Sequence, residues 1–239
     1  MKKKIGVLYI CTGKYDRFFK EFYETSEKFF LTDCEKTYFV FTDSKDEVFE
    51  KENVMKVEQS RLGWPYDTLM RFKMFSRIEK EISQQDFVFF FNANMAFNQE
   101  IKPEEFLPLE EESGLASVLH STFYKTGVRG TFEHREESAA YIPFHLNPAY
   151  FQGCLYGGKS DKFLEMNKVC LENVQKDLDK GLIAMWHDES HMNKYFSQIK
   201  IKELHPGFAY PEMLSLPYEK KIIQLEKANV PGGHKYLRS

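Results

Sequence analysis

Residues 4–10, KIGVLYI, form a nearly unbroken apolar run, and CTGKY follows it. Residues 16–30 then space Phe18, Phe19, Phe22 and Phe29 along one helical face. The pattern is that of a strand, a glycine-containing loop and a helix. Residues 37–42, TYFVFT, are β-branched and aromatic and stop at Asp43, which predicts a second strand. A short strand is expected near 54–57. Residues 66–82 place Leu69, Phe72, Met74, Phe75 and Ile78 for one amphipathic helix. Residues 86–91 run through FVFFF into Asn92-Ala93-Asn94 and read as an interior strand, apolar on both faces because helices cover both. Beyond Pro103 the chain is acidic and loop-like until a strand at 115–119. Residues 121–141 are polar and aromatic without a clear period, and so long an irregular segment marks a candidate binding surface. A strand over 150–156 ending at Gly157-Gly158, a helix over 160–180, the segment MWHDESHMNKYF, a strand near 200–204 and the tail VPGGHKYLRS complete the chain. This alternation predicts an α/β protein with a mostly parallel, doubly wound central sheet flanked by helices.

Composition narrows the class. With 239 residues, 42% of them hydrophobic, the chain is expected to form a single compact domain over residues 1–239. Most of its 23 Phe and 13 Tyr belong in the core, where aromatic rings bury large areas. A net charge of −3 supplies no basic field, which speaks against nucleic acid as the main partner. No apolar stretch is long enough to span a membrane, and MKKKIGVLYI is too short in its apolar part for a signal peptide, so a cytoplasmic location is expected. Cys11, Cys34, Cys154 and Cys170 show no CxxC spacing and read as reduced thiols, neither a disulfide frame nor a zinc site.

In an open α/β sheet the ligand sits beyond the carboxyl ends of the strands, where Asn92 and Asn94 stand. Taken alone, two asparagines there read first as strand terminators. The densest chemistry is Trp186-His187-Asp188-Glu189-Ser190-His191. His187 and His191 are spaced to share a helical face and hold zinc, with Glu189 as base. The metalloprotease pattern, however, has its glutamate directly after the first histidine. A plain amphipathic helix, with His191 and Asn193 as ordinary polar positions, is the stronger reading. Asp188 and Glu189, adjacent at a helix start, project in different directions, which allows one carboxylate to bind while the other does chemistry. The Cys11–Tyr15 loop matches no Walker or GxGxxG pattern.

Several stretches together resemble glycosyltransferase family 6, the group that includes the blood-group A and B transferases and α-1,3-galactosyltransferase: WHDESHMNKY at 186–195, AYIP at 140–143, the glycine pair at 157–158, EFYETSEKFF at 21–30, YFVFTD at 38–43 and the closing VPGGHKYLR. With no N-terminal anchor, the chain is similar to the bacterial members. The resemblance implies a GT-A fold, residues 1–95 mainly binding UDP and residues 96–239 mainly binding the acceptor and carrying catalysis. It implies a retaining enzyme that moves N-acetylgalactosamine or galactose from a UDP-sugar to the 3-hydroxyl of a fucosylated β-galactoside. Carried over by position, Ile10, Cys11 and Tyr15 hold uracil and ribose, Arg71 contacts the donor, and Gln152, Gly153 and Cys154 select its 2-substituent. Asp188 bonds the donor sugar, Glu189 is the catalytic glutamate, and Arg238 folds over the diphosphate. His120, Thr122, Thr131 and Trp186 fall on acceptor-contacting positions. The family's tail lysine is Gly232 here, with Lys235 as the substitute.

Metal-dependent members carry Asp-x-Asp where this chain has Asn92-Ala93-Asn94. Hard divalent cations want anionic oxygens, which amides lack. The expectation is therefore an enzyme without a divalent metal, its diphosphate held by lysine and arginine and its donor site hydrogen-bonded by Asn92 and Asn94 around Ala93. Glu189 either attacks the anomeric carbon or stabilises an oxocarbenium-like ion. Small residues at 153 and 154, with Gln152 beside them, favour N-acetylgalactosamine over galactose. The competing classes are a non-catalytic glycan-binding protein and a zinc hydrolase built on His187 and His191.

Overall fold

The opening apolar run becomes β1, Lys4–Ile10, in which Ile5, Val7, Leu8 and Tyr9 are fully buried. The computed structural model describes residues 2–125 and 127–238. After β1, a 3-10 turn at Gly13–Phe18 feeds α1, Phe19–Phe29, followed by β2, Glu35–Thr42, and β3, Val54–Glu58. The helices α2, Tyr66–Leu69, α3, Arg71–Ser76, and α4, Glu79–Ile82, precede β4, Phe87–Phe91, and β5, Met95–Phe97. The second half runs through α5, Pro103–Phe106, β6, Leu115–Leu119, β7, Phe151–Lys159, α6, Ser160–Asp179, and α7, Asp188–Phe196. It ends with β8, Lys202–Leu204, β9, Tyr210–Pro211, β10, Ile222–Gln224, and α8, Gly233–Leu237.

Among the described residues, seven strands form the central sheet in the order β3-β2-β1-β4-β7-β6-β8. All neighbours pair parallel except β7, which runs antiparallel to β4 and β6. The sheet is thus mostly parallel. Side chains alternate across it, as a strand requires. Phe87, Phe89 and Phe91 join α1, Phe30 and Phe106 on one face, while Val88 and Phe90 join α2 to α4, α6 and α7 on the other. A small sheet, β5-β10-β9, starts just past β4 and brings the C-terminal segment back to the mouth of the main sheet.

Three local expectations need correction. Residues 66–82 have the apolar spacing of one helix, and Leu69, Phe72, Phe75, Ile78 and Ile82 are buried, but the backbone leaves helical geometry at Met70 and Ile78 and divides it into three. The helix expected over 16–30 opens as the 3-10 turn and becomes α-helical only at Phe19. Gly157 and Gly158 do not end the 150–156 strand; they lie inside β7. A Cβ on Gly157 would collide with the Val88 carbonyl, and one on Gly158 with the Gly114 carbonyl, so the pair lets β7 fit between β4 and β6.

Candidate active site

Arg71, at the start of α3, organises the carboxyl ends of the strands. Its guanidinium lies over the Phe90 ring at 4.6 Å and is nearly buried, with 11% exposure. Nη1 donates to Asp188 Oδ2 at 2.8 Å and to the Gly153 carbonyl at 2.9 Å, and Nη2 donates to Asn92 Oδ1 at 2.9 Å. One cation therefore joins β4, β7 and α7. Burial pushes the Asp188 carboxyl up, while Arg71 and the amides at the start of α7 hold it down.

Asp188 and Glu189 occupy the first turn of α7, where the helix dipole favours negative charge. His187 caps that turn with φ of 54°, a conformation that costs a non-glycine residue about 1–3 kcal/mol. The two carboxylates do diverge. Glu189 Oε1 accepts from the Tyr150 hydroxyl at 2.6 Å and Oε2 from the Gly153 amide at 2.7 Å. Burial raises the Glu189 carboxyl to about 7, against the pull of the Tyr150 and Gly153 donors.

Asn193 sets the register that makes this contact. Its side chain exchanges two hydrogen bonds with the Phe151 backbone, both at 2.9 Å, and donates to the Glu189 carbonyl one turn back at 3.0 Å. It is a buried clamp between α7 and β7, not an ordinary polar position of an amphipathic helix. His191 is likewise fully buried, with Nε2 3.6 Å from Asp177, and burial pushes it well below its usual range. His187 instead faces the site, 3.3 Å from Thr68 Oγ1, with Trp64 edge-on. Among the described residues, no group of three or more His, Cys, Asp or Glu gathers to hold a metal ion, so a site on His187 and His191 lacks its further ligands.

Two cavities meet at Thr68, Arg71 and Asn92. The first is lined by Ile10, Thr12, Tyr15, Ala93 and Asn94, by Arg61, Trp64 and Asp67, and by Lys227, Leu237 and Arg238 from the C-terminal segment. The second is lined by Gln152, Gly153, Cys154, Trp186, His187, Asp188 and Glu189. The Asn92-Ala93-Asn94 turn is held rigidly. The Asn92 amide donates to the Cys154 carbonyl, Tyr9 Oη donates to the Ala93 carbonyl, and Asn94 Nδ2 donates to the Leu225 carbonyl at 2.7 Å. Lys227, two residues beyond Leu225, lines the first cavity. Its ammonium sits 5.3 Å from the Tyr15 ring centroid, and burial, with Arg71 and Arg238 nearby, lowers it to about 8.

The family model of glycosyltransferase family 6 matches residues 1–239. The chain belongs to glycosyltransferase family 6. It is 35% identical over 225 residues to the Escherichia coli O-antigen biosynthesis glycosyltransferase WbnI, covering 93% of this chain and 94% of that one. It is 28% identical to rat histo-blood group ABO system transferase 2, covering 98% of this chain and 71% of the relative. Identity to human globoside α-1,3-N-acetylgalactosaminyltransferase 1 is 25%, over 92% of this chain and 65% of the relative. The protein is therefore an enzyme, a glycosyltransferase with the α/β core expected of the GT-A fold, and the glycan-binding and zinc-hydrolase classes fall away.

Within this family 6 enzyme most of the carried-over residues converge. Ile10, Tyr15, Arg71, Asn92, Ala93, Asn94 and Arg238 border the first cavity, and Gln152, Gly153, Cys154, Trp186, Asp188 and Glu189 the second. Cys11 does not line either; its side chain is buried, and its backbone pairs with Phe41 and with the Thr42 hydroxyl. Lys235 is exposed on α8 and outside the cavity lining, where Lys227 stands instead. Thr131 Oγ1 donates to the Tyr150 hydroxyl oxygen at 3.4 Å, and His120 packs its ring 5.7 Å from that of Tyr150. Thr122 is exposed, its backbone amide donating to His120 Nδ1 at 3.1 Å. The loop that carries Thr131 is tied to the approach of α7. Glu133 accepts from Arg135 and from the Met185 amide, and Asp177 accepts from Ser138 and Ala139.

The sequence reading missed Trp64, Thr68, Tyr150 and Lys227. Trp64 and Thr68 precede Arg71 on the same stretch, which was a usable signal. Lys227 and Tyr150 had none, because a strand pairing and a buried ring bring them in.

Proposed function

We propose that the enzyme transfers N-acetylgalactosamine from UDP-N-acetylgalactosamine, in α-1,3 linkage and with retention, to a galactoside bearing α-1,2-fucose, without a divalent metal. The observation that carries the reading is Glu189. It is fixed by two short hydrogen bonds beside the Arg71–Asp188 pair, where the cation-lined cavity meets the one bordered by Gln152, Gly153 and Cys154. Uracil and ribose lie against Ile10 and Tyr15, the diphosphate against Lys227, Arg238 and Arg71, and the sugar between Asp188 and Glu189. The acceptor approaches from Trp186, Thr131, His120 and Thr122.

A Mn²⁺ or Mg²⁺ ion of the kind held by Asp-x-Asp members would need anionic oxygens at 92 and 94. Asn92 Oδ1 already accepts from Arg71, and Asn94 gives its amide nitrogen to Leu225, leaving one neutral oxygen. The donor set does not fit such an ion. Charge on the departing diphosphate is instead met by Lys227 and the two arginines, through charge-assisted hydrogen bonds. Ionised Glu189 stabilises positive charge growing at the anomeric carbon as that bond lengthens. With both oxygens already accepting hydrogen bonds, it suits this role better than nucleophilic attack. The acceptor 3-hydroxyl enters on the face that UDP leaves and passes its proton to the departing phosphate oxygen.

Gln152 Nε2 donates to Gln224 at 3.1 Å, and its Oε1 is a buried acceptor with no partner among the described residues. An acetamido N–H supplies the missing donor, which favours N-acetylgalactosamine over galactose. Four free cysteines suit a cytoplasmic setting. The test is a donor panel with fucosylated and unfucosylated β-galactosides, read as UDP release and product linkage. The reading expects kcat/KM for UDP-N-acetylgalactosamine on the fucosylated acceptor to exceed that for UDP-galactose by about tenfold or more. Equal use of the two donors, or indifference to fucose, contradicts it.

A further inference from the structure

Tyr150 stands outside the residues assigned above to donor or acceptor, yet it makes the shortest bond to Glu189. Its ring is buried, with 2% exposure, among Phe123, Phe132 and His120. Gly130 abuts the ring so closely that a Cβ there would collide with it. The hydroxyl, at the end of this rigid lever, donates to Glu189 Oε1 at 2.6 Å and accepts from Thr131 Oγ1 at 3.4 Å. The Gly153 amide holds the other carboxylate oxygen at 2.7 Å.

We propose that Tyr150 is a positioning residue for the transfer reaction, fixing the plane of the Glu189 carboxylate and linking it to the acceptor-side loop through Thr131. This rests on Glu189 being the catalytic group. Two donors on two different oxygens leave the carboxylate little freedom to rotate. With the hydroxyl removed, Oε1 loses the donor it holds at 2.6 Å, and a buried carboxylate with one donor lost takes up a proton more readily. The charged groups that face Glu189 are Asp188, which also disfavours its ionisation, and Arg71, which favours it; neither reaches Oε1 within hydrogen-bond distance. Tyr150 and the Gly153 amide are thus the donors that support the ionised form directly. Loss of Tyr150 acts on both the orientation and the charge of Glu189.

The experiment compares the pH dependence of kcat/KM from about pH 5 to 9 for wild type, Tyr150→Phe and Glu189→Gln, with UDP affinity measured for each. The acid limb of Tyr150→Phe is expected about one to two pH units higher, as loss of one hydrogen bond to a charged group implies. Its kcat falls about tenfold or more at neutral pH, while UDP binds as to wild type. Should Tyr150→Phe not fold, Gly130→Ala, which displaces the ring and keeps the hydroxyl, is expected to shift the limb in the same direction. An unmoved acid limb with normal kcat, while Glu189→Gln is inactive, overturns the role of Tyr150 alone. Substantial activity in Glu189→Gln instead overturns the assignment of Glu189.

Discussion

Replacing Glu189 by Gln should make the protein more stable and far less active, and the two effects have one cause. The folded-state carboxyl is raised from 4.5 to about 7, chiefly by burial. Folded Glu189 keeps its proton to higher pH than the unfolded chain does, so this contribution to stability is full below about pH 4.5 and is lost as pH rises through 7. At 1.36 kcal/mol per tenfold, the loss by pH 8 is about 3 kcal/mol. Glutamine has no charge to bury and escapes that loss. Its amide oxygen takes the Gly153 N–H and its nitrogen faces the Tyr150 hydroxyl, which must turn from donor to acceptor and gives back about 1 kcal/mol. The net gain at pH 8 is about 2 kcal/mol, or about 4–8 °C in Tm for a chain of this size. Thermal melts of both proteins at pH 5 and pH 8 measure it. A gain at pH 8 that vanishes at pH 5 is expected, together with a loss of about a hundredfold or more in kcat. Equal melting points at pH 8, or a gain that is the same at both pH values, refutes the claim that Glu189 is held ionised against its surroundings.

Four further outcomes follow from the donor side. Lys227→Met should weaken UDP binding about ten- to a hundredfold, as loss of a charge-assisted hydrogen bond implies, with titration calorimetry as the measure. Because burial and the neighbouring arginines lower Lys227 to about 8, wild-type UDP affinity should fall as pH rises through that value, with proton uptake on binding near pH 8 that Lys227→Met lacks. Asn94→Asp should replace the donation to the Leu225 carbonyl with repulsion, lowering Tm and UDP affinity, and added Mn²⁺ should not restore either in a melt or a binding titration. Arg71→Met leaves Asp188 buried without its partner and should cost about 3–5 kcal/mol of stability in denaturant unfolding.

The interior strands of the central sheet were legible because their apolar runs are the direct imprint of burial on both faces, as in FVFFF, which lies between β1 and β7. The breaks at Met70 and Ile78 were not, since apolar spacing reports which face is buried and says nothing of where the backbone bends. The short strands β5, β9 and β10 carry too few residues for a period to show, and with them went Lys227, whose place depends on β10 pairing with β5. Tyr150 reads as one more core aromatic; only the position of α7, set by Asn193 on Phe151, turns its hydroxyl into a partner of Glu189. The resemblance pointed to WHDESH and to the departure at Asn92-Ala93-Asn94, and the packing brings Lys227 into the same cavity lining as those asparagines, the cation proposed to meet the diphosphate.

The most direct measurement of the central claim is transfer by the wild-type enzyme in excess EDTA, with and without added Mn²⁺. If Lys227, Arg238 and Arg71 hold the diphosphate, turnover in the chelator should equal that in buffer, and Mn²⁺ should add nothing. A collapse of activity in EDTA that Mn²⁺ restores would contradict the account.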